Sequence, residues 1–218
     1  MFPGIVNQIT IPKIKMFHIT MQKGPKMKII DTLKITFFTF ILTLIGFSAY
    51  AQEDVAKAHI KNNVAKWIGN ATLITGINAQ NIRNTALNQN EIDTQDKVWR
   101  AEVKNGGGSM TAAVLSNDVS TFLKNIRDES GGLYTEIFAM DNKGLNVGQS
   151  DLTSDFWQGD EAKWQKTFKV GPGAIYVSEV EFDESSQSYQ IQVSVPISDP
   201  ATGAAIGALT IGMNAEML

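Results

Sequence analysis

The chain has 218 residues, 43% of them hydrophobic, with no cysteine, two histidines and a formal net charge of -3. Without cysteine there is no disulfide framework, thiolate metal site, covalently attached haem or cysteine nucleophile, so the fold must stand on packing alone. A nucleic-acid partner is excluded on charge, and more firmly once the N-terminal segment is considered.

That segment begins with residues 1–26, which carry Lys13, Lys15, Lys23 and Lys26, no acid, and a further Met at position 27. They are read as lying upstream of a start at Met27, or else as an extended basic lead. Residues 27–51 read as a secretion signal. Lys28 and Lys34 precede the apolar run Ile35 to Phe47, and Ala49 and Ala51 stand at the small-residue positions before a cut between Ala51 and Gln52. A membrane anchor would need about 20 apolar residues, more than this run offers before Gln52, Glu53 and Asp54. Removal of residues 1–51 would take six of the 19 basic groups and one of the 22 acidic ones, leaving 13 and 21 and a charge near −8. Residues 52–218 then form a single acidic domain that, with no second apolar run, is not embedded in a membrane after processing. This places it in the periplasm.

From Glu53 to about Asn90 there is no proline, and Val64, Trp67, Ile68, Ala71 and Ile74 recur at helical spacing, which predicts one long amphipathic helix weakened at Gly69 and Gly76. His59, the single histidine after processing, falls on its polar part and reads as a solvated residue, which makes a Ser-His-Asp triad improbable. Asn70-Ala71-Thr72 matches a glycosylation sequon, but inside a helix it reads as coincidence. A short helix over Asp93 to Glu102 carries Trp99. The glycines after Asn105 form a turn, since they lack the Lys-Ser/Thr of a phosphate loop. Val114 to Arg127 predicts another helix, ended by Gly131-Gly132.

The periodicity then changes to that of strands. Leu133 to Met140 and Leu145 to Val147 flank the turn Asp141-Asn142-Lys143-Gly144. Ala174 to Phe182, Tyr189 to Ile197 and Ala204 to Met213 are three consecutive antiparallel runs. In the middle one Tyr189, Ile191, Val193, Val195 and Ile197 alternate with Gln190, Gln192 and Ser194, so one sheet face packs on a core and the other is polar. Helices followed by about five antiparallel strands make an α+β domain with the long helix across the sheet.

Residues 151–168, DLTSDFWQGDEAKWQKTF, are too long for a hairpin loop and dense in Trp157, Gln158, Asp160, Glu161, Trp164 and Phe168. Rings with a few polar groups suit a small-molecule pocket, the carboxylates orienting a cation or a hydroxyl. The competing reading makes Trp157 and Trp164 core residues that pin a short helix onto the sheet, with Asp160, Glu161 and Lys163 on its wet side. Asp151, Asp155, Asp160 and Glu161 lack the spacing and central glycine of a calcium loop, so no metal is expected. No nucleophile elbow is present, and neither catalytic residues nor a cofactor are assigned.

The stretch EIFAMDNKGLNVGQSDLTSDFWQGDEAKWQKTF, with SVPISDPATGAAIGALTIGMN after it, resembles the single-Cache, or PDC-type, extracytoplasmic sensor domain over about Ala86 to Met213. The resemblance implies a long N-terminal helix on a five-stranded antiparallel PAS-like sheet, and a pocket between the sheet and its covering segments. It puts Trp157, Asp160 and Trp164 on the covering segment and Tyr176 and Ser178 on central strands, as ligand contacts. The amino-acid-binding branch of that family carries an Arg on the covering segment and a late Asp. Phe156-Trp157-Gln158 offers no Arg, and Gly212 and Asn214 stand where the acid would be, which argues against an amino-acid ligand. Family members feed a kinase, cyclase or chemoreceptor module, whereas this chain stops at Leu218. The expectation is therefore a stand-alone binder of a small polar molecule that acts through a separate membrane-bound sensor or transducer. An empty, non-catalytic scaffold that docks onto an envelope partner is the alternative.

Overall fold

The computed structural model describes residues 52–183 and 188–218. The expectations for residues 1–26 and 27–51, including the cut after Ala51, lie outside the described residues, as do residues 184–187. Among the described residues no helix is long and apolar enough to cross a membrane.

The chain folds as the α+β domain expected. Helix α1 (52–62) leads through a single 3-10 turn at Val64–Lys66 to α2 (Ala71–Arg83), α3 (Gln89–Lys104), α4 (Ser109–Leu115) and α5 (Asp118–Glu129). Strands β1 (Tyr134–Met140) and β2 (Asn146–Gln149), the short α6 (Ala162–Gln165), and strands β3 (Tyr176–Asp183), β4 (Ser188–Ser198) and β5 (Ala205–Asn214) follow. The five strands form one antiparallel sheet in the order β2-β1-β5-β4-β3.

The single long helix is instead interrupted. Gly69 weakens the helix, and the Asn70 side chain accepts a hydrogen bond from the Thr72 amide at 2.9 Å, so Asn70 caps α2 rather than continuing α1. The sequon thus sits at an exposed helix start, not within a helix. The same device splits the helix expected over Val114 to Arg127. Asn117 accepts from the Ser120 amide at 2.8 Å and starts α5 afresh. A reciprocal pair between Asn88 and Glu91 opens α3, which is longer than the short helix expected.

One face of the sheet carries the main core. Ile137 and Ala139 of β1, Ile191, Val193 and Ile197 of β4, and Leu209, Ile211 and Met213 of β5 pack with Leu73 and Ile77 of α2, Val119 and Leu123 of α5, and Ala56 and Ile60 of α1. Each such fully buried aliphatic side chain contributes about 1.5–3 kcal/mol. Helix α1 also holds His59, which is not simply solvated. Its Nε2 lies 2.6 Å from the Tyr134 hydroxyl and its ring meets Tyr134 edge-on, and burial lowers its pKa.

Away from this core, α3 packs Ile92 and Trp99 on Leu145 and Phe156. On the other sheet face Trp164 of α6 packs on Phe138, Met140 and Ala208.

Candidate functional site

The second sheet face is where side chains of mixed polarity meet the covering segment. In β4 the residues between the core positions, Gln190 and Gln192, point to this face, and Glu136 and Phe138 reach it from β1. The cross-strand row runs from Glu136 through Gly212 to Gln192. Because Gly212 has no side chain, Gln192 Nε2 can reach over it and donate to Glu136 Oε1 at 2.8 Å. A Cβ at Gly212 would stand 2.7 Å from both Glu136 Cγ and Gln190 Oε1. The irregularity in β1 between Tyr134 and Glu136 turns Thr135 to the same side, and its hydroxyl donates to Gln190 Oε1 at 2.6 Å.

Above this floor lie two recesses that share Lys163, Gln190 and Gln192 and so form one cleft. The first, of about 260 Å³, is walled by Glu161, Lys163, Tyr176, Ser178 and Glu181. The second, of about 380 Å³, is walled by Glu136, Phe138, Asp155, Gln158, Lys163 and Asp183. Together they are on the scale of a small-ligand pocket. Lys163 divides them, with its ammonium 2.8 Å from Glu161 and 5.3 Å from the centre of the Phe138 ring.

Burial pushes the Glu136 carboxyl above the ordinary glutamate range, an effect that the Gln192 hydrogen bond and the charge of Lys163 only partly offset and that Asp183 adds to. The unfolded chain ionises this group at its ordinary value, near 4.3, while the folded chain holds its proton longer. Stability from this group is therefore lost as the pH rises from the ordinary glutamate value through the raised one. Glu136→Gln removes that loss. Its melting temperature, followed by circular dichroism, is expected to exceed that of the parent at neutral pH and to converge with it below the ordinary glutamate value.

Of the five residues expected at the site, Tyr176 and Ser178 line the first recess, whereas Trp157, Asp160 and Trp164 line neither. Tyr176 and Ser178 lie on an edge strand, not on central strands, because β5 inserts between β1 and β4 and leaves β3 outermost. The charges Glu179, Glu181 and Asp183 suit that edge. The two tryptophans have a structural reason for their positions. A buried indole N–H needs an acceptor, and Trp157 Nε1 donates to the Lys143 carbonyl at 2.8 Å while Trp164 Nε1 donates to the Asp141 carbonyl at 3.1 Å. Both clamp the covering segment to the turn after β1. Gly144, with φ +85°, lets that turn approach Gly159, whose Cα would lie 2.5 Å from a Cβ there. Asp160 is exposed.

The covering segment is held from its far side by α3. Trp99 Nε1 donates to the Thr153 carbonyl at 2.9 Å, and Asp96 Oδ1 accepts from the amides of Phe156 and Trp157 at 2.9 and 3.1 Å. Arg100 pairs with Asp155 at 3.1 Å. Asp155 is thus engaged, as is Asp151 with Arg127, and among the described residues no three acidic or histidine side chains group as a metal site would require. Under the segment, three buried polar atoms have no hydrogen-bond partner among the described residues: Asn146 Oδ1, Gln149 Nε2 and Gln158 Oε1.

Glu136, Phe138, Lys163, Gln190 and Gln192 are among the cleft residues that the sequence does not single out as contacts. The available signal is the single acid in the otherwise apolar second half of β1, EIFAM. A carboxylate and a cation therefore do face the cleft, but from β1 and α6 rather than from the positions used by the amino-acid-binding branch.

The sequence matches no protein-family model and no curated protein. Among solved structures the chain is similar to extracytoplasmic sensor domains. With the sensor domain of the Vibrio cholerae histidine kinase DctB it shares 12% identity over 76% of this chain and 54% of that one, at a TM-score of 0.38. For the sensory domain of the Campylobacter jejuni chemoreceptor Tlp3 the values are 18%, 77%, 65% and 0.37. For the ligand-binding domain of the Pseudomonas fluorescens chemoreceptor CtaA, in complex with L-serine, they are 10%, 59%, 60% and 0.35. The chain spans between about half and two thirds of the length of these domains. The functional reading rests on the cleft itself.

Proposed function

We propose that residues 52–218 are a non-catalytic, periplasmic binding domain that takes a small polar molecule in the cleft between the sheet and the 151–168 segment. In this reading the domain stands alone after export and passes its occupancy to a separate membrane-bound transducer. The observation that carries the reading is the cleft floor, where Glu136, Gln190 and Gln192 present polar groups across the buried Gly212. A face meant only for packing would bury apolar side chains there, as the opposite face does. Binding could bias a transducer only through a difference in affinity between two arrangements of the domain. The covering segment is the element placed to register that difference, since it walls the cleft on one side and is bolted to α3 on the other.

A thermal-shift screen of the purified protein against organic acids, amines, nucleobases and sugars tests this. At least one class should raise the melting temperature, and Gln192→Ala should abolish that rise while the protein still folds. If no class does so, the alternative gains: an empty scaffold docked on an envelope partner, which the anchoring of Trp157 and Trp164 to backbone carbonyls favours.

A further inference from the structure

The walls of the cleft are unequal in charge. Glu136, Asp155, Glu161, Glu181 and Asp183 line its two recesses, and Lys163 is the single basic residue among their lining groups. Three of these charges are already in ion pairs, Lys163 with Glu161 and Asp155 with Arg100, and Asp183 is also engaged. Glu136 differs. The groups that hydrogen-bond its carboxylate are the amides of Gln192, at 2.8 Å, and Gln190, at 3.5 Å, and no ion pair reaches it among the described residues. A second observation on the same recess is independent of charge. Gln158 is 1% exposed and lines the wall, its Nε2 donates to the Asp155 carbonyl, and its Oε1 has no partner. An unpaired buried acceptor of this kind is costly unless something donates to it.

We propose that the ligand is an organic cation, a primary amine whose ammonium docks against Glu136 in the recess that Gln158 also lines. This rests on the cleft being the binding site. An ammonium supplies three donors and a positive charge, which is what an unpaired carboxylate and an unpartnered amide oxygen can receive. An anion of the same size would meet the acidic walls with Lys163 already committed. A neutral polyol could bond the amides but would leave Glu136 without a counter-charge.

The proposal has a proton balance. Burial holds the Glu136 proton above the usual range. At a pH where the carboxyl still holds its proton, docking of R–NH₃⁺ ionises it and the proton passes to solvent while the amine keeps its own; above that range the ammonium meets the carboxylate and no proton is released. Facing Glu136 are Lys163 of α6 and Asp183 of β3, which act on it in opposite directions, and the neutral Gln190 and Gln192 of β4. Asp155 of the covering segment lies in the same wall, neutralised by Arg100. Amine affinity should accordingly fall as the pH is lowered through the raised range of this carboxyl, and within that range proton release should appear as a dependence of the binding heat on buffer ionisation enthalpy.

The experiment is isothermal titration of the purified protein with ethanolamine and 1,3-diaminopropane, using malonate and glycerol as anionic and neutral counterparts. The amines should bind, with affinity reduced at least about tenfold in Glu136→Gln, the cost of one charge-assisted contact. They should bind more tightly in Lys163→Met, which keeps the apolar stem over Phe138 and removes the competing cation; an anion would respond in the opposite sense. If malonate or glycerol binds in a Gln192-dependent way and the amines do not, the amine class is wrong and the cleft reading stands. If nothing binds, or if amines bind equally to Glu136→Gln, the inference is overturned, and in the first case the cleft reading falls with it.

Discussion

Trp99→Ala is expected to lower the stability of the domain by about 3–5 kcal/mol, the range for truncating a fully buried large aromatic side chain. Trp99 has no exposed surface, stacks on Phe156 with ring centres 5.4 Å apart, and donates to the Thr153 carbonyl from a helix that the covering segment depends on. The loss therefore has two parts: a cavity under α3, and an unpaired carbonyl in the segment that walls the cleft. Chemical denaturation reads the first. The second should appear as faster amide exchange across residues 153–158 than across β4 under native conditions. A variant in which the segment and the strand exchange alike would show that α3 does not hold the covering segment.

The same Gly-to-Ala change at two positions of β5 is expected to give opposite kinds of defect. A Cβ at Gly207 would run into the backbone carbonyl of Met140 on the neighbouring strand, which cannot give way without disturbing the ladder. Gly207→Ala should cost about 1–3 kcal/mol or more, as overpacking does. At Gly212 the new Cβ meets side-chain atoms rather than backbone, Thr135 Oγ1, Gln190 Oε1 and Glu136 Cγ, at 2.5 to 2.7 Å, and these can shift with less damage to the ladder. Gly212→Ala should therefore fold with a smaller loss, while the Gln192 to Glu136 contact across it is displaced and ligand binding is lost. Measuring both variants by denaturation and by the thermal-shift response separates the floor of the cleft from the integrity of the sheet.

The sheet was legible because its signal is local. In β4, alternation of Ile191, Val193 and Val195 with Gln190, Gln192 and Ser194 states both the strand and its two unlike faces. The helix boundaries were not legible, because apolar periodicity runs on across Asn70 and Asn117. What ends each helix there is a side-chain hydrogen bond to a backbone amide two or three residues later, and a polar residue on a helix face looks the same in sequence. Strand order was beyond reach for a related reason. The β3–β4 and β4–β5 pairings join neighbours in the chain, but the insertion of β5 beside β1 is a long-range pairing, and it decides that Tyr176 and Ser178 are at an edge.

For the cleft, the covering segment stood out in the sequence through its two tryptophans, which do not line the recesses. Two tryptophans in an 18-residue segment look like a ligand wall, yet each spends its indole N–H on a carbonyl of the turn Asp141 to Gly144. The residues that face the cleft are less conspicuous. Gln190 and Gln192 read only as the polar side of a strand, and Glu136 acquires its raised pKa from burial beneath a segment that lies elsewhere in sequence. Its character depends on tertiary burial, which composition and spacing do not encode.

The absence of cysteine allows the location of the ligand to be read directly. A thiol introduced as Ser178→Cys would stand in the wall of the cleft. One introduced as Thr75→Cys would stand in the groove of about 510 Å³ between α2 and α5, on the opposite side of the sheet. The rate of modification by a small thiol reagent, with and without the stabilising ligand, is the measurement that bears most closely on the account. Protection at position 178 with an unchanged rate at position 75 is the result it predicts. Protection at position 75 alone, with position 178 as reactive as before, would place the ligand in the helical groove and contradict it.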